Sequence, residues 1–412
     1  MTPVWASTKL CDVAEVIPSG VDKKSHADET PVRLCNYLDV YNNDIIHAGM
    51  SFSSATATEA EISRCRLFRD DVIITKDSET PDDIAKTAVV LEDLDGVLCG
   101  YHLAILRPNP QVLSGLFLGH LLRLPSLRKR LGQLANGAIR FGLTSSALNS
   151  LELALPPLPE QEAIAAVLST WDRGIRQLTD LIAAKLRFKQ GLMQQLLTGK
   201  RRFKGCQEEW HSVQLRDVTT ECDERNRGQL GLESVMAVTK AEGIIPMKER
   251  TIGADIGRYL IVRKDWFAYN PMRINIGSIA RWSGDKEIVV SPDYVVFRCN
   301  DSNGDELGME PDYLDHLRRS GIWEKFVTAA GNGSVRVRIY FSDLGYLKFK
   351  LPSLKEQRKI ANFFNTADQE IDLLRKQLDA FKQQKKGLMQ KLLTGEVRVK
   401  LSNHSNDTGA KP

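Results

Sequence analysis

A stretch of 45 residues occurs twice in this chain of 412, and no other feature limits its fold so strongly. LPPLPEQEAIAAVLSTWDRGIRQLTDLIAAKLRFKQGLMQQLLTG, from Leu155 to Gly199, lies over LPSLKEQRKIANFFNTADQEIDLLRKQLDAFKQQKKGLMQKLLTG, from Leu351 to Gly395, at a constant offset of 196 and without a gap. Of the 45 pairs 21 are identical, including the whole of GLMQ and LLTG, which two unrelated amphipathic segments would not share. The chain is a duplication. Charge divides along the same lines: residues 1–150 carry 15 basic against 18 acidic groups and 205–346 carry 18 against 22, whereas 151–204 carry 9 against 5 and 347–412 carry 14 against 7. Two mildly acidic blocks alternate with two short basic ones. The acidic blocks are fainter copies of each other. Trp5, Leu10, Asp12 and Val13 match Trp210, Leu215, Asp217 and Val218, and GAIRFGLTSSAL matches GSVRVRIYFSDL.

In each basic block the apolar positions step by four and three. One series runs Ile164, Leu168, Trp171, Ile175, Leu178, Ile182 and on to Leu192 and Leu196; the other runs Ile360, Phe364, Ala367, Ile371, Leu374, Leu378, Phe381 and on to Leu388 and Leu392. A period of 3.5 residues is the seam of a left-handed coiled coil. Ser353 followed by Glu356 predicts a capping box, Pro159 is tolerated in a first turn, and Gly199 and Gly395 can supply the left-handed residue that ends each helix. A helix from Glu160 to Thr198 would be a rod of roughly 58 Å. Its apolar stripe must be covered by the other rod or by a partner. Gly191 and Gly387 sit inside these helices at a cost of about 1 kcal/mol against Ala. Two readings of them stay open, a hole for a neighbouring side chain on the one hand, and a hinge or a notch where a partner docks on the other. On the second, Gly191, Leu192, Met193, Gly387, Leu388 and Met389 are candidate subunit-interface residues.

The acidic blocks have strand chemistry: Asp71 to Thr75, Tyr101 to Leu106, Gly257 to Val262 and Ile288 to Val290 are short, β-branched and bounded by Gly, Pro, Asn or Asp. A helix is expected near the end of each, over 114–134 and 312–329. The fold class is α+β, with two repeated mixed domains, each followed by a long helix. The expected boundaries are 1–154 and 205–350 for the domains, 155–204 and 351–400 for the helical segments, and 401–412 for a disordered tail. No stretch approaches a membrane helix and Met1 to Asp12 lacks the apolar core of a secretory signal, so the cytoplasm is the expected location. Seven cysteines with no CxxC pair argue against structural zinc and against a disulfide framework.

With order, spacing and duplication in agreement, the chain resembles the DNA specificity subunits of type I restriction-modification systems over essentially its whole length. The resemblance is carried by the LPxLxEQ-like starts and GLMQxLLTG ends of the helical segments. Phrases inside the domains add to it: DVIITKDSET and CGYHLAILRP in the first, YNPMRINIGSIA, SPDYVVFR and GSVRVRIYFSDL in the second. It implies a non-catalytic subunit with two target recognition domains that read a split DNA sequence, one half-site each. It also implies that the two helices pair antiparallel. Partners would be double-stranded DNA, two methyltransferase subunits and up to two motor-nuclease subunits. The chain itself would hold no cofactor, while its partners use S-adenosylmethionine, ATP and Mg²⁺.

Reading bases in the major groove needs side chains with fixed donor and acceptor patterns, and Arg is favoured where planar bidentate geometry matters. The second domain has 13 Arg against 5 Lys. Its candidates are Arg273 in NPMRIN, Arg281 beside Trp282, and Arg336 with Arg338 in SVRVR, alternate residues that would share one face of a strand. In the first domain the candidates are Thr75, Lys76 and Ser78 in the polar loop after a strand, Tyr101 with His102, and Arg140. Catalysis has little support. YNPM resembles part of the adenine methyltransferase motif but lacks its second proline and a glycine-rich turn for a methyl donor. Asp82, Asp83 and Lys86, like Asp285, Lys286 and Glu287, have the letters of a metal nuclease without a framework. A P-loop is absent. The rival class is a coiled-coil adaptor that joins subunits without reading sequence.

Overall fold

Short β-branched runs form the strands, and the two segments of 3.5-residue period form helices, Leu158–Leu196 and Leu354–Leu393. The computed structural model describes residues 5–137, 139–301, 307–330 and 338–400. The chain divides into two units that are not contiguous in sequence. One is Met1–Leu178 with Gln377–Pro412, the other Thr179–Lys376. Each unit thus joins one acidic block to part of both long helices, where the sequence suggested four consecutive segments. The expected tail, 401–412, lies outside the described residues.

In the first unit the strand Ala6–Lys9 pairs antiparallel with Glu152–Leu155, at the entrance to the long helix. A five-stranded sheet follows in the order Ala14–Pro18, Leu103–Pro108, Val72–Thr75, Thr87–Val90, Ile45–Ile46. Ser53–Ala57, Thr30–Cys35 and Val97–Cys99 form a second sheet. The helix expected over 114–134 is two, Gly115–Leu122 and Pro125–Leu134, because Pro125 cannot donate into a continuing helix but is well suited to start a new one. Phe117, Leu118 and Leu121 close one core with Val72, Ile74, Val89, Ile164, Leu168, Leu392 and Leu393. Part of the helical seam is therefore spent on the recognition domain.

The second unit repeats the plan. His211–Gln214 pairs with Lys348–Leu351, and one sheet has the order Thr219–Cys222, Val295–Cys299, Phe267–Tyr269, Ile279–Arg281. Gly243–Pro246, Val235–Thr239, Ile288–Val290 and Leu260–Val262 form the other. The closing helix is again broken, into Pro311–Leu317 and Gly321–Ala330. The faint repeat now has a physical basis. Leu10, Val13, Leu215 and Val218 are buried, and Asp217 accepts a hydrogen bond from the Gln214 N–H to cap a short helix.

Helix direction is read inside each unit. In the first, Glu160 pairs with Arg398, Asp172 with Lys385, and the Trp171 and Phe381 rings meet edge to face at 5.5 Å. In the second, Lys185 meets Glu370 at 2.7 Å, Lys189 meets Asp368, and Arg202 meets Glu356 at 2.6 Å. Partner numbers fall as the first helix rises, so the segments run antiparallel. Gly199 and Gly395, at φ +71° and +75°, end the helices as expected, and each backs onto a tryptophan, Trp210 and Trp5 respectively. The capping box does not form. The fully buried Glu356 carboxylate accepts from Arg202 and from Trp210 Nε1 at 2.9 Å, a charged partner outcompeting the Ser353 backbone.

The subunit-interface expectation is corrected here for Leu192 and Met193, which are buried in the core of the second unit. Leu388 and Met389 are partly buried against the core of the first. Gly191 and Gly387 are exposed, and a Cβ added to either meets nothing within 4 Å, which removes the reading as a hole for a neighbouring side chain.

A polar joint is repeated at the same offset. His120 Nε2 lies 3.3 Å from Ser169 Oγ and its Nδ1 3.8 Å from Asp172, the carboxylate that also binds Lys385. Correspondingly, His316 Nε2 donates to Asn365 Oδ1 at 2.8 Å, beside the Asp368–Lys189 pair. Burial, then the charges of Arg123 and Lys385, push the His120 imidazole down to about 3, against a weaker opposing pull from Asp44. Burial also lowers His316. The glutamines of the two LPxLxEQ segments act alike. Gln161 accepts from Ser114 N–H at 3.0 Å and donates to the carbonyls of Val112 and Pro156, both at 2.9 Å. Gln357 accepts from Glu310 N–H and donates to those of Gly308 and Pro352.

Candidate nucleic-acid interface

The strand Val72–Thr75 ends in a knot of backbone hydrogen bonds that gathers most of the first domain's candidate side chains. Lys76 N–H donates to the His102 carbonyl at 3.0 Å, and Leu143 N–H donates to the Lys76 carbonyl at 2.7 Å. Asp77–Ser78 then pairs with Phe141–Gly142, and Asn136 and Gly142 exchange two bonds of 2.9 Å. The loop between them needs a glycine: a Cβ on Gly137, at φ +149°, would stand 1.9 Å from the Arg140 carbonyl oxygen. Lys76, Tyr101, His102 and the exposed Arg140 are thereby brought to one end of the sheet.

Their side chains are ordered by one another. The Lys76 ammonium donates to the Ser19 carbonyl at 3.3 Å and lies 5.7 Å from the centre of the Tyr101 ring. Tyr101 is 50% exposed, and its ring centre is 3.9 Å from that of His102. His102 adopts φ +70° and sets Nδ1 2.6 Å from Asp77 Oδ2. Thr75 and Ser78 are placed differently. Thr75 is fully buried with its hydroxyl accepting from Lys86 N–H, and Ser78 is buried with its hydroxyl accepting from Thr80 N–H. Both support the loop from beneath and are withdrawn as contact candidates.

The second unit builds the corresponding place from Phe267–Tyr269. Asn270 follows the strand, its side chain accepting from Met272 N–H at 2.9 Å, and Arg273 N–H donates to the Asn270 carbonyl. Ile339 N–H donates to the Pro271 carbonyl at 3.1 Å, the counterpart of Leu143 to Lys76, with Ile339 standing 196 residues after Leu143. Arg273 and Arg338 are exposed. A cavity of about 430 Å³ opens here, with Arg225, Met272, Tyr294, Arg338 and Tyr340 in its wall. Met272 and Tyr340 escaped the sequence reading, because nothing separates them from ordinary surface residues until the fold places them in one cavity wall with Arg338. Arg336 lies outside the described residues.

Arg281 is not at this place. Its guanidinium is bracketed by Asp312 at 2.8 Å and Asp265 at 3.5 Å and is only 18% exposed. It lines a cleft of about 840 Å³ together with Lys240, Arg318 and Arg319, but Arg318 and Arg319 are themselves tied to Asp315. The expectation of a free base-reading arginine at 281 is replaced by a structural ion-pair role. The described residues show no cluster of His, Cys, Asp and Glu able to hold a metal, all seven cysteines are free, and no helix is long and apolar enough to cross a membrane.

The family described as type I restriction modification DNA specificity domain matches residues 4–186 and 245–383. A Methanocaldococcus jannaschii protein described as the specificity subunit of the type I restriction enzyme MjaX is 25% identical, over 96% of this chain and 94% of its own length. The EcoKI specificity subunit of Escherichia coli K12 is 27% identical over 30% of this chain and 25% of its own. Among solved structures, the S subunit of a type I restriction-modification system from M. genitalium superposes with a TM-score of 0.58 at 15% identity, covering 95% of this chain and 97% of that one. A chain from a study of complex assembly and conformational transition in the type I system superposes at 0.54 with 19% identity, covering 96% and 99%.

Proposed function

This chain belongs to the family of type I restriction-modification DNA specificity proteins, and from that premise we propose that it reads a bipartite DNA sequence, one half-site per unit. The observation that carries the reading is the recurrence of one arrangement. In both units the segment leaving the central strand, after Thr75 and after Tyr269, is hydrogen-bonded to the rim that carries Arg140 in one and Arg338 in the other. Polar, aromatic and cationic side chains meet there. Such a surface offers phosphate contacts, a stacking ring and base-edge donors together.

The chain acts as a non-catalytic scaffold in this reading. It assembles two methyltransferase subunits and up to two motor-nuclease subunits, which supply the chemistry of S-adenosylmethionine, ATP and Mg²⁺. Both recognition blocks are net acidic, and nonspecific affinity rests on neutralising phosphates, so tight binding needs basic surface from those partners. The test is to replace residues of about 14 to 145 by the corresponding segment of another family member and to map methylation by long-read sequencing in cells that hold the methyltransferase. One half-site should change and the other remain. An unchanged motif in a folded complex would leave the chain as an adaptor that joins subunits without reading sequence.

A further inference from the structure

We propose that His102 reads a base in the first half-site, presenting Nε2 as an acceptor to the exocyclic amino group of adenine or cytosine. The inference rests on the DNA-reading role proposed above. Its starting point is strain. A histidine at φ +70° occupies the left-handed region, at a cost a glycine would not incur. The backbone bonds that hold this turn, Lys76 N–H to the His102 carbonyl and Tyr101 N–H to the Val21 carbonyl at 2.7 Å, would be made equally well by glycine. The imidazole is what the strain leaves to be explained.

The ring is oriented from one side only. Asp77 Oδ2 is 2.6 Å from Nδ1, and an ionised carboxylate can only accept, so Nδ1 carries the proton. Asp77 is itself fixed, by the strand pairing of Asp77–Ser78 with Phe141–Gly142 and by the Tyr37 hydroxyl, which donates to the Asp77 carbonyl at 3.2 Å. In the neutral ring Nε2 then bears a lone pair. Among the described residues Nε2 has no protein partner and is not one of the buried orphan atoms, and the side chain is 28% exposed beside the half-exposed Tyr101 ring. What faces outward is one acceptor of fixed direction next to an aromatic face. In the major groove the base-edge donors are adenine N6–H₂ and cytosine N4–H₂, which neither Arg nor Lys can read because both only donate.

The test uses the full chain in complex with its methyltransferase subunit. The wild-type motif is mapped first, and duplexes are then made in which each adenine or cytosine of the first half-site is replaced in turn by purine or 2-pyrimidinone, which lack the amino group. At one position the loss should weaken wild-type binding roughly 5- to 140-fold. His102→Gly, which relieves the backbone strain, should bind the natural duplex that much more weakly and show no further loss at that position. Asp77→Asn, whose amide can donate to Nδ1 and turn Nε2 into a donor, should weaken discrimination at the same position with the second half-site intact. An amino-group effect that persists undiminished in His102→Gly, or no position coupled to it, overturns the inference while DNA reading stands. If His102→Gly does not fold, Asp77→Asn decides in the same terms. A wild-type chain that confers no sequence preference on the complex would instead overturn the DNA-reading role itself.

Discussion

Acid should loosen the first unit through a single histidine. His120 is buried on the helix Gly115–Leu122, facing Arg123 at that helix's C-terminal cap, Asp44 from the neighbouring loop, and Ser169, Asp172 and Lys385 from the two long helices. Its folded-state pKa of about 3 stands below the ordinary 6.5, so as pH falls the unfolded chain takes up the proton first. The native state therefore keeps its full stability above pH 6.5 and loses it progressively between 6.5 and 3. At pH 5 the separation is 1.5 pH units, and at 1.36 kcal/mol per unit the loss is about 2 kcal/mol, or about 30-fold in the constant for local opening. Native-state hydrogen exchange, corrected for its intrinsic pH dependence, reads this directly from amides of 117–122 and 164–168 compared at pH 7.5 and 5. His120→Gln keeps a polar atom near Ser169 but cannot be protonated, so its acid-induced loss should shrink by that 30-fold. Amides of Pro311–Leu317, beside the untouched His316, should respond as in wild type. Equal acid sensitivity of 117–122 in His120→Gln and wild type would refute the neutral buried histidine and the joint built on it.

Gln161→Leu removes three hydrogen bonds, of which the one to the Pro156 carbonyl is buried, so it should cost about 1 to 3 kcal/mol; a melting temperature lowered by roughly 2 °C or more checks it. Gly191→Ala and Gly387→Ala meet open space inside exposed helix, so each should stabilise by about 0.5 to 1 kcal/mol in thermal melts. Loss of methylation by the assembled complex in either alanine variant would show that a partner fills the notch. Arg338→Ala should weaken DNA binding by roughly 1 to 3 kcal/mol at one position if it reads a base, or uniformly with a shallower salt slope if it touches phosphate. Full affinity in a gel shift of the complex would place it outside the interface.

The duplication made the architecture legible, because a constant offset fixes two copies of a unit before any strand is assigned. Strands at Val72–Thr75, Leu103–Pro108, Leu260–Val262 and Ile288–Val290 followed from β-branched runs, since burial on a sheet is what that composition suits. Two things were not legible, for one reason. Heptad letters say that a stripe is apolar but not what covers it, so Leu192 and Met193 read as partner-facing although the chain's own second domain buries them. An arginine in a polar loop likewise reads as free until its carboxylates are placed, and Asp265 and Asp312 reach Arg281 from 16 residues before it and 31 after. The polar joints stood within reach of the sequence all the same. His120, Ser169 and Asp172 each have a counterpart 196 residues on, in His316, Asn365 and Asp368, and Lys385 has one 196 residues back, in Lys189. Extending the offset upstream of Leu155 pairs His120-Leu121-Leu122-Arg123 with His316-Leu317-Arg318-Arg319. That register lies in segments whose surroundings had diverged, where two matched histidines carry more information than the apolar letters between them. A buried imidazole needs a specific hydrogen-bond partner, whereas one aliphatic side chain can stand in for another at small cost.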